Sequence, residues 1–554
     1  MKHLYTLLTA LMVSAVALAQ PGWVKKATKS VFTLKTFAAD GTLLGSASGF
    51  YVGGNGECVS SFAPFKGASR AVIIDAAGKE LSVECILGAN DTYDVVKFRV
   101  AGKTQPLTVT NARPEVGTQV WLLPYREMKN VPQGAVRKAE TFNGNYGYYT
   151  VALQMPENTI GAPLMNATGE VVGLMQQPAS TTDTLNYAVS ALFADSLSIN
   201  GLSINDRVLR QTTIKKALPA DEAQALLSLY LGASSLDSLG YVMLVDDFIQ
   251  QFPQNHNGYL YKAQLAAGAH RYADADALMA QALKVASAAD EVHYNYSRMV
   301  YQKEMADADT PYEPWTLDLA LKEAQEAYHV NPQPIYLQQQ AYVLYAQKNY
   351  ADASAVYEQL FGTVLRSPEL FYEASRCKQA QQDTVAQLAL LDSCVALFSR
   401  PYLKEAAPYL LARAQAMMDA GRYRNAVTDL NDYEQLMSTL VNARFYYLRF
   451  QAEVEGRLYQ QALNDIRKAI EMEPQNDLYY SEKASLEVRV GMYDEAIMTA
   501  GEMVQMFANH SDGYLFLGLA QCLKGQKAEG VKNLQKAKEL GDPQVDQLIE
   551  TYGK

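Results

Sequence analysis

Six histidines occur in the 554 residues, and after His3 the next is His256. The stretch between them is rich in hydroxyl and carboxylate side chains, Asp94 among them, but holds no imidazole. A serine hydroxyl becomes a useful nucleophile when a neighbouring base takes its proton, and imidazole is the side chain that does so near neutral pH. Without one, hydrolysis would need a lysine base or a histidine reaching back from the later half of the chain. The first half therefore points to binding rather than bond cleavage.

The other reactive side chains are five cysteines, Cys58, Cys85, Cys377, Cys394 and Cys522. An odd count leaves at least one thiol unpaired in a monomer. Cys58 and Cys85 lie in neighbouring strand-like runs, and Cys377 and Cys394 could face each other across one helical hairpin. Each pair is open to two readings, a disulfide in an oxidising compartment or buried free thiols. No Cys-x-x-Cys or His/Cys cluster has metal-site spacing, so neither a metal nor another cofactor is expected. A net charge of −11 gives no basic footprint for nucleic acid or an anionic membrane surface.

Residues 1–19 combine Lys2 and His3, an apolar run from Leu7 to Leu18, and Ala17 and Ala19 in an A-x-A arrangement before Gln20. This is the pattern of a cleavable secretory signal, too short to span a bilayer. It predicts an extracytoplasmic product, periplasmic or secreted, with no membrane insertion of the mature chain.

Two kinds of element must position these groups. From Ser30 to about Leu197, some twelve short β-rich runs are separated by Gly and Asn/Asp turns such as Gly53-Gly54-Asn55-Gly56 and Asn143-Gly144-Asn145. That spacing fits two antiparallel barrels or a sandwich. From Asp221 onward glycine thins out and the pattern becomes helical. Arg271-Tyr272-Ala273-Asp274-Ala275 returns in recognisable form at 349–353, 422–426, 458–462 and 492–496. Tyr446, Tyr480 and Tyr514 recur at 34-residue intervals, as do Tyr459 with Tyr493, Ala462 with Ala496, and Gly491 with Gly525.

The 34-residue period with these residues resembles the tetratricopeptide repeat, a pair of antiparallel helices. The resemblance places Tyr446 and Tyr480 at the large aromatic position of the first helix and Ala462 and Ala496 early in the second. Lys483 replaces the usual leucine and Gly530 the usual alanine. Seven to nine units are expected between about 221 and 544, with a capping helix after Asp542-Pro543. Most of the 36 tyrosines then serve packing within and between repeats.

The first region resembles trypsin-like serine proteases of the high-temperature-requirement type over about residues 28–195. Gly45-Ser46-Ala47-Ser48-Gly49-Phe50 looks like that family's G-x-G-S-G-F strand, and residues 58–68 like its strand ending in T-x-x-H-V-V-x-G-A. The resemblance puts Ala63 at the histidine position and Asp94 at the aspartate position. Asn158-Thr159-Ile160-Gly161-Ala162-Pro163-Leu164 aligns with G-N-S-G-G-P-L, which puts Ile160 at the serine and Asn158 at an oxyanion-hole glycine. Ser180 and Ser190 are the alternative serines if the register shifts. Freed from a histidine, Asp94 is expected to cap backbone N–H groups or to pair with a hydroxyl.

The expected organisation is a signal peptide at 1–19, a trypsin-like double β-barrel at 22–204, a linker at 205–218, and an all-α tetratricopeptide solenoid with its capping helix at 219–554. The expected function is an exported, non-catalytic scaffold or adaptor that binds a protein or peptide through the repeat groove, with oligomeric state left open. The alternative is a serine endopeptidase with an unorthodox site whose repeats recruit substrate. Sequencing the N-terminus of protein recovered outside the cytoplasm should give Gln20 as the first residue; an intact Met1 in that fraction contradicts the export reading.

Overall fold

The computed structural model describes residues 20–126, 130–178, 185–306 and 310–553. The chain divides into two compact units, Met1–Ser287 and Ala288–Lys554.

In the first unit, β1 (Val31–Phe37), β2 (Leu43–Tyr51), β3 (Glu57–Ser60), β4 (Arg70–Ile74), β5 (Glu80–Asn90) and β6 (Val95–Val100) close a barrel in the order β1-β2-β3-β6-β5-β4. A second barrel, β10-β11-β12-β9-β8-β7, is built from β7 (Gln119–Leu122), β8 (Gln133–Phe142), β9 (Tyr146–Ala152), β10 (Pro163–Met165), β11 (Val171–Met175) and β12 (Leu185–Ser190). Neighbouring strands are antiparallel, and closure leaves neither sheet with a free edge. Alternation fills the interiors: Phe32, Leu34 and Phe98 face into the first barrel, Val120, Tyr149 and Val151 into the second. A further apolar cluster draws Phe50, Val59 and Val95 from the first barrel together with Met165, Leu174 and Val189 from the second. The turn before β3 requires glycine at Gly56, where φ is +86° and a Cβ would lie 1.9 Å from the Val100 carbonyl oxygen.

Residues 205–218, mixed and polar in sequence, are fastened to the first barrel. Leu209 and Ile214 join its core, and the Thr212 hydroxyl donates to the Ala68 carbonyl at 2.7 Å. The Ile86 N–H donates to the Lys215 carbonyl (2.8 Å) and the Ala217 N–H returns a bond to Ile86 (2.9 Å), a short parallel bridge onto β5. The helices Glu222–Ser235, Ser238–Gln251, His256–Gly268 and Tyr272–Val285 complete this unit. Asp221 caps the first of them by accepting the Gln224 N–H at 2.9 Å.

The second unit is helical from Ala289–Ala306 to the terminal Val545–Tyr552. Among the described residues the helices after Asp221 form nine antiparallel pairs and one final helix, and no helix is long and apolar enough to cross a membrane. Fully buried alanines, Ala414, Ala426, Ala462, Ala484 and Ala496, allow close helix approach. Gly530 goes further, since a Cβ there would sit 2.5 Å from the Cys522 sulfur. Tyrosines bridge units: Tyr446 donates to Glu434 of the preceding pair at 2.8 Å, and the Tyr447 and Tyr479 rings lie 5.3 Å apart.

A column of cations runs through three successive pairs. Arg413 grips Asp429 with two bonds (2.7 and 2.8 Å), Arg449 grips Asp465 likewise (2.6 and 3.0 Å), and Lys483 reaches the Thr499 hydroxyl at 2.7 Å. Buried Glu453 lies 3.8 Å from Arg449, and its Oε2 has no partner among the described residues. Burial, with Asp465 beside it, pushes the Glu453 carboxyl up to about 8. The folded state therefore holds a proton that the unfolded chain releases near the ordinary carboxylate value, so this group's contribution to stability falls as pH rises from about 4.5 to about 8. Glu453→Gln should remove that slope: urea midpoints of the variant should gain on wild type between pH 5 and 8, and parallel profiles would contradict the assignment.

Candidate functional site

Asp94 stands at the entrance to β6 with φ at +49°, a left-handed conformation that a short polar side chain tolerates. The Asn90 side chain holds the preceding turn by accepting the Tyr93 N–H at 2.9 Å. The half-buried carboxylate is occupied on both oxygens. Oδ2 accepts the Ser61 hydroxyl, and Oδ1 accepts the Ala63 N–H at 2.6 Å. The Phe62 N–H meets the Asp94 carbonyl at 3.4 Å. Burial raises the carboxyl above its ordinary value, while the donors from Ser61 and Ala63 pull the other way. Asp94 thus caps the short helical turn Ala63–Phe65 and binds a hydroxyl, the two roles expected of it.

Ala63 itself is exposed and presents only a methyl group, while Phe62 and Phe65 beside it are fully buried and stacked, with centroids 6.5 Å apart. The chain places no proton acceptor on that side chain.

Asn158 and Ile160 sit in the turn before β10. Asn158 has φ at +58° and Gly161 at +80°. Thr159 ties the turn down through its hydroxyl to the Pro156 carbonyl (2.6 Å), and the Gly161 N–H reaches Met175 in β11 (2.8 Å). Buried Ser48 on β2 joins this turn to the first barrel. Its N–H donates to the Ile160 carbonyl and its hydroxyl to the Asn158 carbonyl, each at 2.7 Å, while its own carbonyl accepts the Ser60 hydroxyl at 2.7 Å. Gly161 is indispensable here, because a Cβ would lie 2.2 Å from the Ser48 carbonyl oxygen.

The structure therefore gathers the four sequence-derived positions around consecutive serines at the end of β3 and just beyond it. Ser61 holds Asp94 beside Ala63, and Ser60 holds Ser48 against Asn158 and Ile160. Ser48, Ser60 and Ser61 were not singled out by sequence reasoning. Their signal was a run of small hydroxyl residues at strand positions where burial demands a hydrogen-bond partner. Ser190 is buried at the end of β12, and Ser180 lies outside the described residues.

All five cysteines are free and buried. For Cys58 and Cys85 the reason is topological: β6 lies between their strands, with Cys58 opposite Phe98 and Cys85 opposite Arg99. Two inter-strand spacings, roughly 9–10 Å, exceed the Cα separation that a disulfide spans. The Cys394 thiol donates to the Pro368 carbonyl at 3.2 Å. Of the later histidines, His293 meets Glu323 at 2.6 Å, His510 meets Asp477 at 2.7 Å, and His270 meets the Tyr272 hydroxyl at 3.0 Å. His256 is buried at a helix start and His329 is exposed.

Asp94→Ala leaves the buried Ser61 hydroxyl and the Ala63 amide without their acceptor, which should cost about 2 kcal/mol of stability. A lowered urea midpoint with an unchanged slope would show it; a midpoint equal to wild type would contradict the capping role.

Residues 47–174 match the model of the trypsin-like peptidase domain. Among solved structures, the chain is similar to the active form of the Rv3671c protease from M. tuberculosis, with 16% identity, a TM-score of 0.29, and coverage of 33% of this chain and 84% of that one. The inactive form of the Rv3671c protease gives 16% identity and a TM-score of 0.27 over 33% of this chain and 93% of that one. A curated relative, the small glutamine-rich tetratricopeptide repeat-containing protein 2 of Saccharomyces cerevisiae, is 23% identical over 125 residues, 22% of this chain. The chain spans 36% of that relative's length. The chain carries a trypsin-like domain followed by helical repeats of the tetratricopeptide type.

Proposed function

We propose that this protein is an exported, non-catalytic scaffold whose repeats bind a protein or peptide partner and whose trypsin-like domain serves as a second contact. The observation that carries the reading is the state of Asp94. Both of its carboxylate oxygens are engaged by Ser61 and Ala63, and the positions aligned with base and nucleophile hold an alanine methyl group and an isoleucine. Loss of either a base or a nucleophile alone removes on the order of 10⁶ in rate from a serine protease, so ordinary hydrolysis has no machinery here.

Repeat arrays offer an extended surface for partners, and a barrel cleft that no longer cuts can still hold an extended peptide by strand addition. Two linked sites raise apparent affinity through effective concentration. The signal-like residues 1–19 place the scaffold outside the cytoplasm on this reading.

Cross-linking of the tagged full chain in its native extracytoplasmic fraction, followed by affinity capture and mapping of the linked residues, tests the proposal. A discrete protein partner linked to residues 288–553 is expected. Links confined to the barrels, or no reproducible partner, would overturn the assignment of binding to the repeats.

A further inference from the structure

Between residues 199–218 and the first helical pair lies a cavity of about 550 Å³ that is open to solvent on one side, within the range of pockets that hold small ligands. Its walls are largely aliphatic: Ile199, Ile204 and Leu218 on one side, Leu239, Met243 and Leu244 from the helix Ser238–Gln251 on the other. That helix buries Tyr241, Val245 and Phe248 but leaves Leu239 (71% exposed) and Met243 (50%) open at the mouth. Apolar side chains grouped in this way gain from being covered by an apolar body.

Five charged side chains line the cavity: Arg210, Lys215, Lys216, Asp237 and Asp247. Both acids are already engaged. Asp247 pairs with Lys215 at 2.6 Å, and Asp237 caps its helix by accepting the Gly240 N–H at 2.8 Å, where the helix dipole also favours a negative charge. Among the described residues, no carboxylate lies within ion-pair distance of Lys216 or Arg210. Arg210 is exposed, whereas Lys216 is half-buried with its ammonium donating to the Thr212 carbonyl. Burial alone pushes that ammonium down to about 8. A desolvated cation without a counter-ion is stabilised by an anion delivered into the same surroundings.

We propose that this cavity binds a small amphipathic monocarboxylate, its aliphatic body lying against Leu239, Met243 and Leu244 and its carboxylate pairing with Lys216. The site lies in the first unit and takes a small molecule, so it goes beyond the partner-binding reading and does not depend on it.

Titration calorimetry of the full chain with decanoate, and with decanol as the uncharged match, tests the assignment alongside Lys216→Met, Lys216→Arg and Met243→Asp. Saturable decanoate binding is expected in wild type, at least about tenfold weaker in Lys216→Met, largely kept in Lys216→Arg and lost in Met243→Asp. Decanol should bind more weakly and ignore the Lys216→Met change. No saturable decanoate binding, or affinity unchanged in either Lys216→Met or Met243→Asp, would overturn the proposal. So would displacement of decanoate by a leucine-terminated peptide that binds more tightly, which would assign the cavity to protein C-termini. A photoreactive decanoate on the wild-type chain gives a readout free of folding effects: labels within residues 199–218 and 236–247 support the site, and labels elsewhere refute it.

Discussion

Buried Ser48 is the residue on which the two-barrel region turns. Its N–H, hydroxyl and carbonyl are all used at one junction, joining β2 to the Asn158 and Ile160 carbonyls on one side and to Ser60 on the other. Buried polar groups must find partners, so the turn at 156–161 is drawn onto the first barrel and has only glycine available at Gly161. Ser61, the next residue along, fixes Asp94. The positions that the protease resemblance marks as catalytic are thus held by a hydrogen-bonded seam.

The same principle extends the first unit past its barrels. Backbone bonds between Ile86 and residues 215–217, with Leu209 and Ile214 in the core, fasten the following segment to the first barrel. The helices up to Val285 therefore belong to the barrel unit by compactness although they continue the repeat pattern in sequence. In the second unit, the Arg413, Arg449 and Lys483 column puts charge where repeat packing usually puts aliphatic side chains. Each cation is satisfied by a helix partner, which makes those pairs tolerable but leaves Glu453 under strain from burial.

Much of this was legible in the sequence. Closely spaced β-rich runs broken by Gly and Asn turns announced the barrels, and the 34-residue recurrence of Tyr446, Tyr480 and Tyr514 announced the repeats, because both arise from short-range periodicity. The capping role of Asp94 was legible because a carboxylate deprived of an imidazole must still find donors. The docking of 205–218 was not, since a few backbone bonds and two buried side chains leave no periodic trace. The cation column was hidden for a related reason: a charged residue in a helix reads as surface until its partner sixteen residues on is seen beneath it. The fate of Cys58 and Cys85 depended on β6 running between their strands, which is a matter of topology rather than local sequence.

On the proposed reading the trypsin-like domain cleaves no peptide bond. The most direct measurement is mass-spectrometric profiling of new termini after a diverse peptide library is incubated with the full chain. A non-catalytic role predicts no termini beyond those in a buffer blank. New termini at defined sequences that disappear in Asp94→Asn would contradict it, because they would show Asp94 acting in a reaction rather than holding Ser61 and Ala63 in place.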